Sequence, residues 1–297
     1  MSTHADKVQF SDGPPQGKFA PSGGNAVREA TSVGAITQPA IEFIGVEKRF
    51  PPRGDTGEVL AARDVNFAVA PGEVVSIIGP SGCGKSTLLN MGSGLAKVSA
   101  GVVKVAGEVV QGPNSHVSFM LQKDLLMPWR TIAENIEFGL ELRGVKPAER
   151  AAVSSKLLKQ CHLAGFGGHY PHQLSGGMRQ RAALARTLAV DPMVLLMDEP
   201  FSALDAQTKM ILQQDLAQTV AAEGKTVLLI THDLAEAVAL SDRILVMSER
   251  PGTIVEEIKV DMPDRNNPMV RRTRDEVGSY VSRLMALLKL DANTEVH

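Results

Sequence analysis

Two stretches of the chain combine residue types and spacings that suit phosphate chemistry. In Gly79-Pro80-Ser81-Gly82-Cys83-Gly84-Lys85-Ser86-Thr87, a glycine, four residues and Gly-Lys-Ser follow in order. Glycines let the backbone curl its N–H groups around phosphate oxygens, while the lysine reaches the β and γ phosphates and the serine hydroxyl serves Mg²⁺. In Val194-Leu195-Leu196-Met197-Asp198-Glu199-Pro200, an apolar run ends in two carboxylates. Asp198 is placed to hold the metal, directly or through water, and Glu199 to orient and polarise a water as general base. The chemistry implied is hydrolysis of a nucleoside triphosphate.

Such groups need rigid elements behind them. Glu73-Val74-Val75-Ser76-Ile77-Ile78 reads as a buried strand leading into the glycine loop, and Ser86-Thr87-Leu88-Leu89-Asn90-Met91 as the first turns of a helix leaving it. The positive end of that helix favours an anion. Four apolar residues before Asp198 suit a central parallel strand covered on both faces, whose carboxyl end is where ligands bind in such sheets. Gln122 follows the apolar run 117–121, and His232 stands between the strand-like Leu228-Leu229-Ile230 and a helix. Ser175 is a good helix N-cap, and the helical spacing of Met178, Ala182, Leu184, Ala185 and Leu188 follows it, so the exposed N–H groups at the start of that helix make another anion site.

The whole ordered set, with Leu174-Ser175-Gly176-Gly177-Met178-Arg179-Gln180-Arg181 between the two phosphate-site halves, resembles the nucleotide-binding subunit of ATP-binding cassette (ABC) transporters over residues 41–263. The resemblance implies Gly79 to Thr87 as Walker A, Gln122 as the Q-loop glutamine, Leu174 to Gln180 as signature and Val194 to Glu199 as Walker B. It implies Ser202 to Asp205 as D-loop and His232 as the switch histidine on the γ-phosphate. Phe50 stands where the family carries an aromatic that stacks on adenine, beside an insertion Pro51-Pro52-Arg53-Gly54, and Met178 replaces the more frequent glutamine. The implied cofactors are ATP and Mg²⁺. Lys85, Glu199 and His232 are then catalytic, and Ser86, Gln122 and Asp198 hold the metal. Phe50, the nine residues from Gly79 to Thr87, Gln122, Ser175, Gly176, Gly177 and Asp205 bind ATP. In this family two subunits meet head to tail, each signature facing the other's Walker A, so one chain is half an enzyme; a homodimer supplies both patches automatically.

The fold expected is α/β: a P-loop NTPase core of mixed, mainly parallel sheet with an antiparallel β subdomain, plus a helical signature subdomain. Residues 1–38 read as a disordered tail, rich in Gly, Pro, Ser, Thr and Ala without periodicity. Residues 39–263 are expected to form the ATPase domain, with its helical part at about 131–190, and 264–297 a short C-terminal extension containing one amphipathic helix at 269–290. Strands are expected at 226–230 and 243–247, with a late edge strand at 254–260.

A net charge of −2 leaves no nucleic-acid footprint, and two cysteines argue against a disulfide framework and suit a reducing cytoplasm. No apolar run approaches the length of a membrane span, and the N-terminus lacks a hydrophobic signal region. Cys161, His162, His169 and His172 lack the paired spacing of a zinc site. The resemblance places the chain peripherally on the cytoplasmic face of the inner membrane, serving integral permease subunits and, indirectly, an extracytoplasmic solute-binding protein. Leu125-Leu126-Met127-Pro128-Trp129-Arg130, directly after Gln122, is the expected permease contact, with core packing of Trp129 the alternative. Residues 126–136 and 248–255 resemble ATPases of nitrate, sulfonate and taurine importers. A cassette exporter or a non-transport cassette ATPase is the alternative function.

Overall fold

In the computed structural model, described residues are 38–51 and 57–289. The expected N-terminal tail, apart from Gln38, and Pro52, Arg53 and Gly54 of the insertion lie outside them. Strands β3 (Val74–Ile78), β7 (Val194–Asp198) and β8 (Thr226–Ile230) are buried along their whole lengths, as unbroken apolar runs covered on both faces should be. With β6 (Val117–Met120), β9 (Arg243–Met247) and β10 (Ile254–Lys259) they form a sheet of order β10-β9-β3-β8-β7-β6. Every pair is parallel except β9 with β10. The carboxyl ends of β6, β7, β8, β3 and β9 therefore open along one edge, followed in turn by Leu121, Glu199, Thr231, Gly79 and Ser248.

A second sheet, order β2-β1-β4-β5, is antiparallel and comprises β1 (Ile41–Phe50), β2 (Val59–Val69), β4 (Ala100–Val105) and β5 (Glu108–Val109). Its inner face carries Ile41, Phe43, Val65 and Phe67, with the two phenyl rings stacked 4.5 Å apart. These side chains join Leu88, Leu89 and Met91 of α1 (Lys85–Gly92), the helix that leaves the glycine loop, in one core cluster. Each such aliphatic side chain removed from water contributes about 1.5–3 kcal/mol.

Beyond β6 come α2 (Ile132–Leu142), α3 (Pro147–Gln160), a single 3₁₀ turn at Pro171–Gln173 and α4 (Gly176–Ala189). Thr131 starts α2 with a capping box closed by Glu134, and Ile132, Ile136, Leu140, Leu157, Leu163 and Leu184 form their shared core. Helix α5 (Ala206–Glu223) follows β7 and α6 (Leu234–Leu240) follows β8.

The C-terminal segment departs from the single helix expected. It folds as α7 (Pro268–Arg271) and α8 (Glu276–Leu287). Arg271, 1% exposed, turns inward to donate to the carbonyls of Ser241 (2.8 Å), Met262 (3.0 Å), Ala239 (3.4 Å) and Val260 (3.4 Å), which anchors the chain before it redirects. Helix α8 then lays Val277, Tyr280, Val281, Leu284 and Leu287 against the cluster formed by α6, β9 and β10.

Candidate functional site

The loop after β3 curls at Gly84, whose φ is +110°; a Cβ there would lie 2.8 Å from the Ala61 carbonyl oxygen, so no other residue fits without displacing backbone. Lys85 folds over the loop and donates from Nζ to the carbonyls of Gly79 (2.7 Å) and Pro80 (2.8 Å), with Cys83 Sγ 3.8 Å away. Cys83 itself is buried. A cleft of about 530 Å³ opens beside this loop. Ser81, Gly82, Gly84, Lys85, Ser86 and Thr87 line it together with Phe50, Pro51, Val59 and Ala61, and Glu199 and Arg250 complete the lining. Phe50 is 40% exposed, with the Lys48 ammonium over its ring at 5.2 Å from the centroid.

Asp198 ends β7 at 8% exposure. Burial raises its carboxyl above the usual aspartate range and the Glu199 charge adds to this, whereas a hydrogen bond from Ser86 and the charge of Lys85 oppose it. A carboxylate held in this position beside a hydroxyl fits a hard divalent cation, whose charge removes the burial penalty. Glu199 follows with φ +49°, a left-handed conformation rare for a glutamate and costing about 1 kcal/mol or more. Its N–H donates to the Ile230 carbonyl (3.0 Å), so the turn is tied to β8. Glu199 Oε2 accepts from Gln122 Nε2 at 3.0 Å and lies 3.3 Å from His232 Nδ1. An amide, a carboxylate and an imidazole from the ends of three neighbouring strands thus meet at one oxygen, suited to handling a water proton.

Ser175, Gly176, Gly177 and Asp205 do not line this cleft, and neither do Gln122, Asp198 and His232, which are joined to it through Glu199 and Ser86. Ser175 Oγ accepts from Met178 N (3.3 Å) as the cap of α4, and Asp205 Oδ1 from Thr208 N (3.0 Å) as the cap of α5. Gly177 lies against Leu204, so the two caps are neighbours. Of the four residues weighed for zinc, Cys161 is buried with its thiol pushed up to about 12, chiefly by desolvation. His162 pairs with Asp215 at 2.9 Å, while the rings of His169 and His172 lie on Phe166 and Tyr170. Pro51, Val59, Ala61 and Arg250 line the cleft without having been singled out as site residues. The signal for Arg250 is its place after β9, since that strand ends on the same edge as β3.

The segment after Gln122 is fixed to both helices behind it. Arg186 donates to the carbonyls of Asp124 (2.6 Å) and Leu125 (2.8 Å), and Arg179 to the Asp124 carboxylate (3.0 Å). Asn135, fully buried, accepts from Met127 N and donates to the carbonyls of Met127, Arg130 and Thr131. The turn so held buries Leu126 and leaves Trp129 73% exposed, which sets aside the core-packing alternative for that ring.

This fold and cleft define a P-loop nucleoside triphosphatase carrying a helical insertion. A family model described as ABC transporter matches residues 62–202. An uncharacterized ABC transporter ATP-binding protein of Methanocaldococcus jannaschii is 46% identical over 231 residues, 78% of this chain and 85% of that one. The taurine import ATP-binding protein TauB of Yersinia pestis is 45% identical over 205 residues, covering 69% and 80%, and the nitrate import ATP-binding protein NrtD of Synechocystis is 41% identical over 241 residues, covering 80% and 91%. Among solved structures, a dimeric post-hydrolysis state of an ATP-binding cassette bound to ADP and Pi superposes with a TM-score of 0.68 at 33% identity, over 75% of this chain and 99% of that chain. The chain belongs to the ABC transporter family, as an ATP-binding and ATP-hydrolysing subunit.

Proposed function

We propose that the chain energises uptake of a small anion such as nitrate, sulfonate or taurine through a separate membrane permease. The observation that carries the transport reading is Trp129, a large exposed aromatic on a turn built directly after Gln122. Exposed aromatics on a fixed scaffold mark protein contacts, and this one is connected through the backbone to the glutamine on Glu199. The uptake direction and the substrate class are supported by relatives named for taurine and nitrate import. No helix among the described residues is long and apolar enough to cross a membrane. In this reading a permease and, for import, an extracytoplasmic solute-binding protein are separate chains, and this one works on the cytoplasmic face of the inner membrane.

ATP lies with its base on Phe50 and its phosphates in the loop from Gly79 to Thr87. Lys85 exchanges the carbonyls of Gly79 and Pro80 for the β and γ phosphates. Ser86, Gln122 and Asp198 would hold Mg²⁺, which when bound would neutralise phosphate charge. Glu199 accepts the proton of the attacking water, and His232 contacts the γ-phosphate. Ser175, Gly176, Gly177 and Asp205 act on the nucleotide of a second copy. Loss of the γ-phosphate removes contacts that favour the closed pair, so the pair opens.

Co-purification from gently solubilised native membranes, with ATP-loaded Glu199→Gln protein as bait, tests this. A multi-span permease in the eluate is the expected result; soluble ribosomal or DNA-bound partners alone would contradict it. Trp129→Ala should weaken docking by about 2 kcal/mol or more, abolishing transport while hydrolysis by the isolated subunit changes by less than about twofold. Equal loss of both activities would contradict the docking role of Trp129.

A further inference from the structure

The loop after β9 is pressed against the phosphate loop, and one of its side chains reaches the nucleotide cleft. Ser248 closes the loop, its N–H donating to the Thr253 carbonyl (3.0 Å) and its Oγ accepting from Thr253 N (3.1 Å). Gly252 fastens it to β2, donating to the Ala61 carbonyl (3.0 Å) and accepting from Arg63 N (3.0 Å). A Cβ on Gly252 would lie 2.1 Å from the Cys83 carbonyl oxygen, so the approach is as close as backbone allows. From this loop Arg250 donates through Nε (3.1 Å) and Nη2 (2.7 Å) to the Gly82 carbonyl, and it also lines the cleft.

Two consequences follow for an anionic ligand. A trans peptide points its C=O and N–H in opposite directions. Holding the Gly82 carbonyl toward Arg250 turns the Cys83 N–H the other way, to within 3.4 Å of the Pro80 carbonyl, and prevents a flip that would aim a carbonyl at phosphate. Secondly, among the described residues no carboxylate is within ion-pairing distance of Arg250, so its charge and Nη1 stay available at a cleft whose ligand is a polyphosphate.

The geometry points to Arg250 as a nucleotide-affinity residue: it locks the Gly82–Cys83 peptide and supplies a second cation, beside Lys85, to the bound nucleotide. This rests on the cleft being the ATP site, which the wild-type protein tests in the same titrations: absence of saturable ATP binding there would overturn the site and not Arg250 alone. Binding of ATP, ADP and AMP and the steady-state ATPase of wild type, Arg250→Lys and Arg250→Met are compared at two ionic strengths. Arg250→Met should raise the ATP KM about three- to tenfold, modest because the side chain is exposed, with kcat falling less than KM rises. Arg250→Lys should recover part of the loss, the penalty should be larger for ATP than for AMP, and it should shrink at high salt as the charge is screened. An unchanged KM in Arg250→Met would overturn the proposal. So would Lys and Met variants that bind nucleotide equally and differ from wild type only in the melting temperature of the nucleotide-free protein.

Discussion

Asp198 and Glu199 are adjacent carboxylates in different surroundings, which is why the proposed mechanism gives them different tasks. Glu199 Oε2 is shared by Gln122 and His232 in a partly open position, whereas Asp198 is enclosed beside Ser86. Burial raises the Asp198 carboxyl, so the folded protein holds that proton more tightly than the unfolded chain does. The sign follows: the group's contribution to stability is most favourable at low pH and declines as pH rises through the window between its unfolded and raised folded values; above it the buried charge is a net cost. Asp198→Asn should therefore raise the melting temperature of the nucleotide-free protein at pH 8, with an increment that shrinks only as pH falls through that window, while Mg²⁺ no longer enhances ATP binding. A lower melting temperature at pH 8 would contradict the burial argument. Residues of this kind were readable from the chain itself, because Gly-x₄-Gly-Lys-Ser and an apolar run closing on Asp-Glu each carry their chemistry in local spacing. Arg250 was not, since a lone arginine in a loop has no periodic partner and its meaning comes from β9 lying beside β3.

The strands place these residues. Five parallel strands end on one edge, which turns sites scattered from Gly79 to Arg250 into one neighbourhood. Buried strands such as β7 and β8 could be read from continuous apolar runs. The break between α7 and α8 could not, because it depends on Arg271 reaching carbonyls at the end of α6, just before β9 and just after β10, and an arginine in an amphipathic pattern reads as solvent-facing. The turn carrying Trp129 is similarly hidden in sequence, its geometry depending on a buried amide at Asn135. Asn135→Ala removes, at a fully buried position, one acceptor and one multiply shared donor group, and should cost about 1–3 kcal/mol of unfolding free energy. Denaturant titration measures that directly. The same variant should bind ATP normally yet lose transport as Trp129→Ala does; an unchanged midpoint would mean the turn is held by other contacts.

In the proposed mechanism the molecule as a whole carries two phosphate-binding surfaces, and the second of them takes no part in lining the cleft. The cleft at Gly79 to Thr87 is lined without any contribution from Ser175, Gly176 or Gly177, although the N-terminus of α4 is a ready anion site. In the proposed mechanism the complete site is the product of two copies, each lending its α4 terminus to the other's nucleotide, with ATP joining them and hydrolysis releasing them. Glu199→Gln should slow hydrolysis about 10²- to 10⁴-fold while leaving ATP bound, which traps the joined form. Light scattering of the Glu199→Gln protein eluting from a sizing column tests this most directly. The account predicts twice the single-chain mass with Mg²⁺ and ATP, and single-chain mass with ADP or no nucleotide. A protein demonstrably saturated with ATP that still elutes at single-chain mass would contradict it.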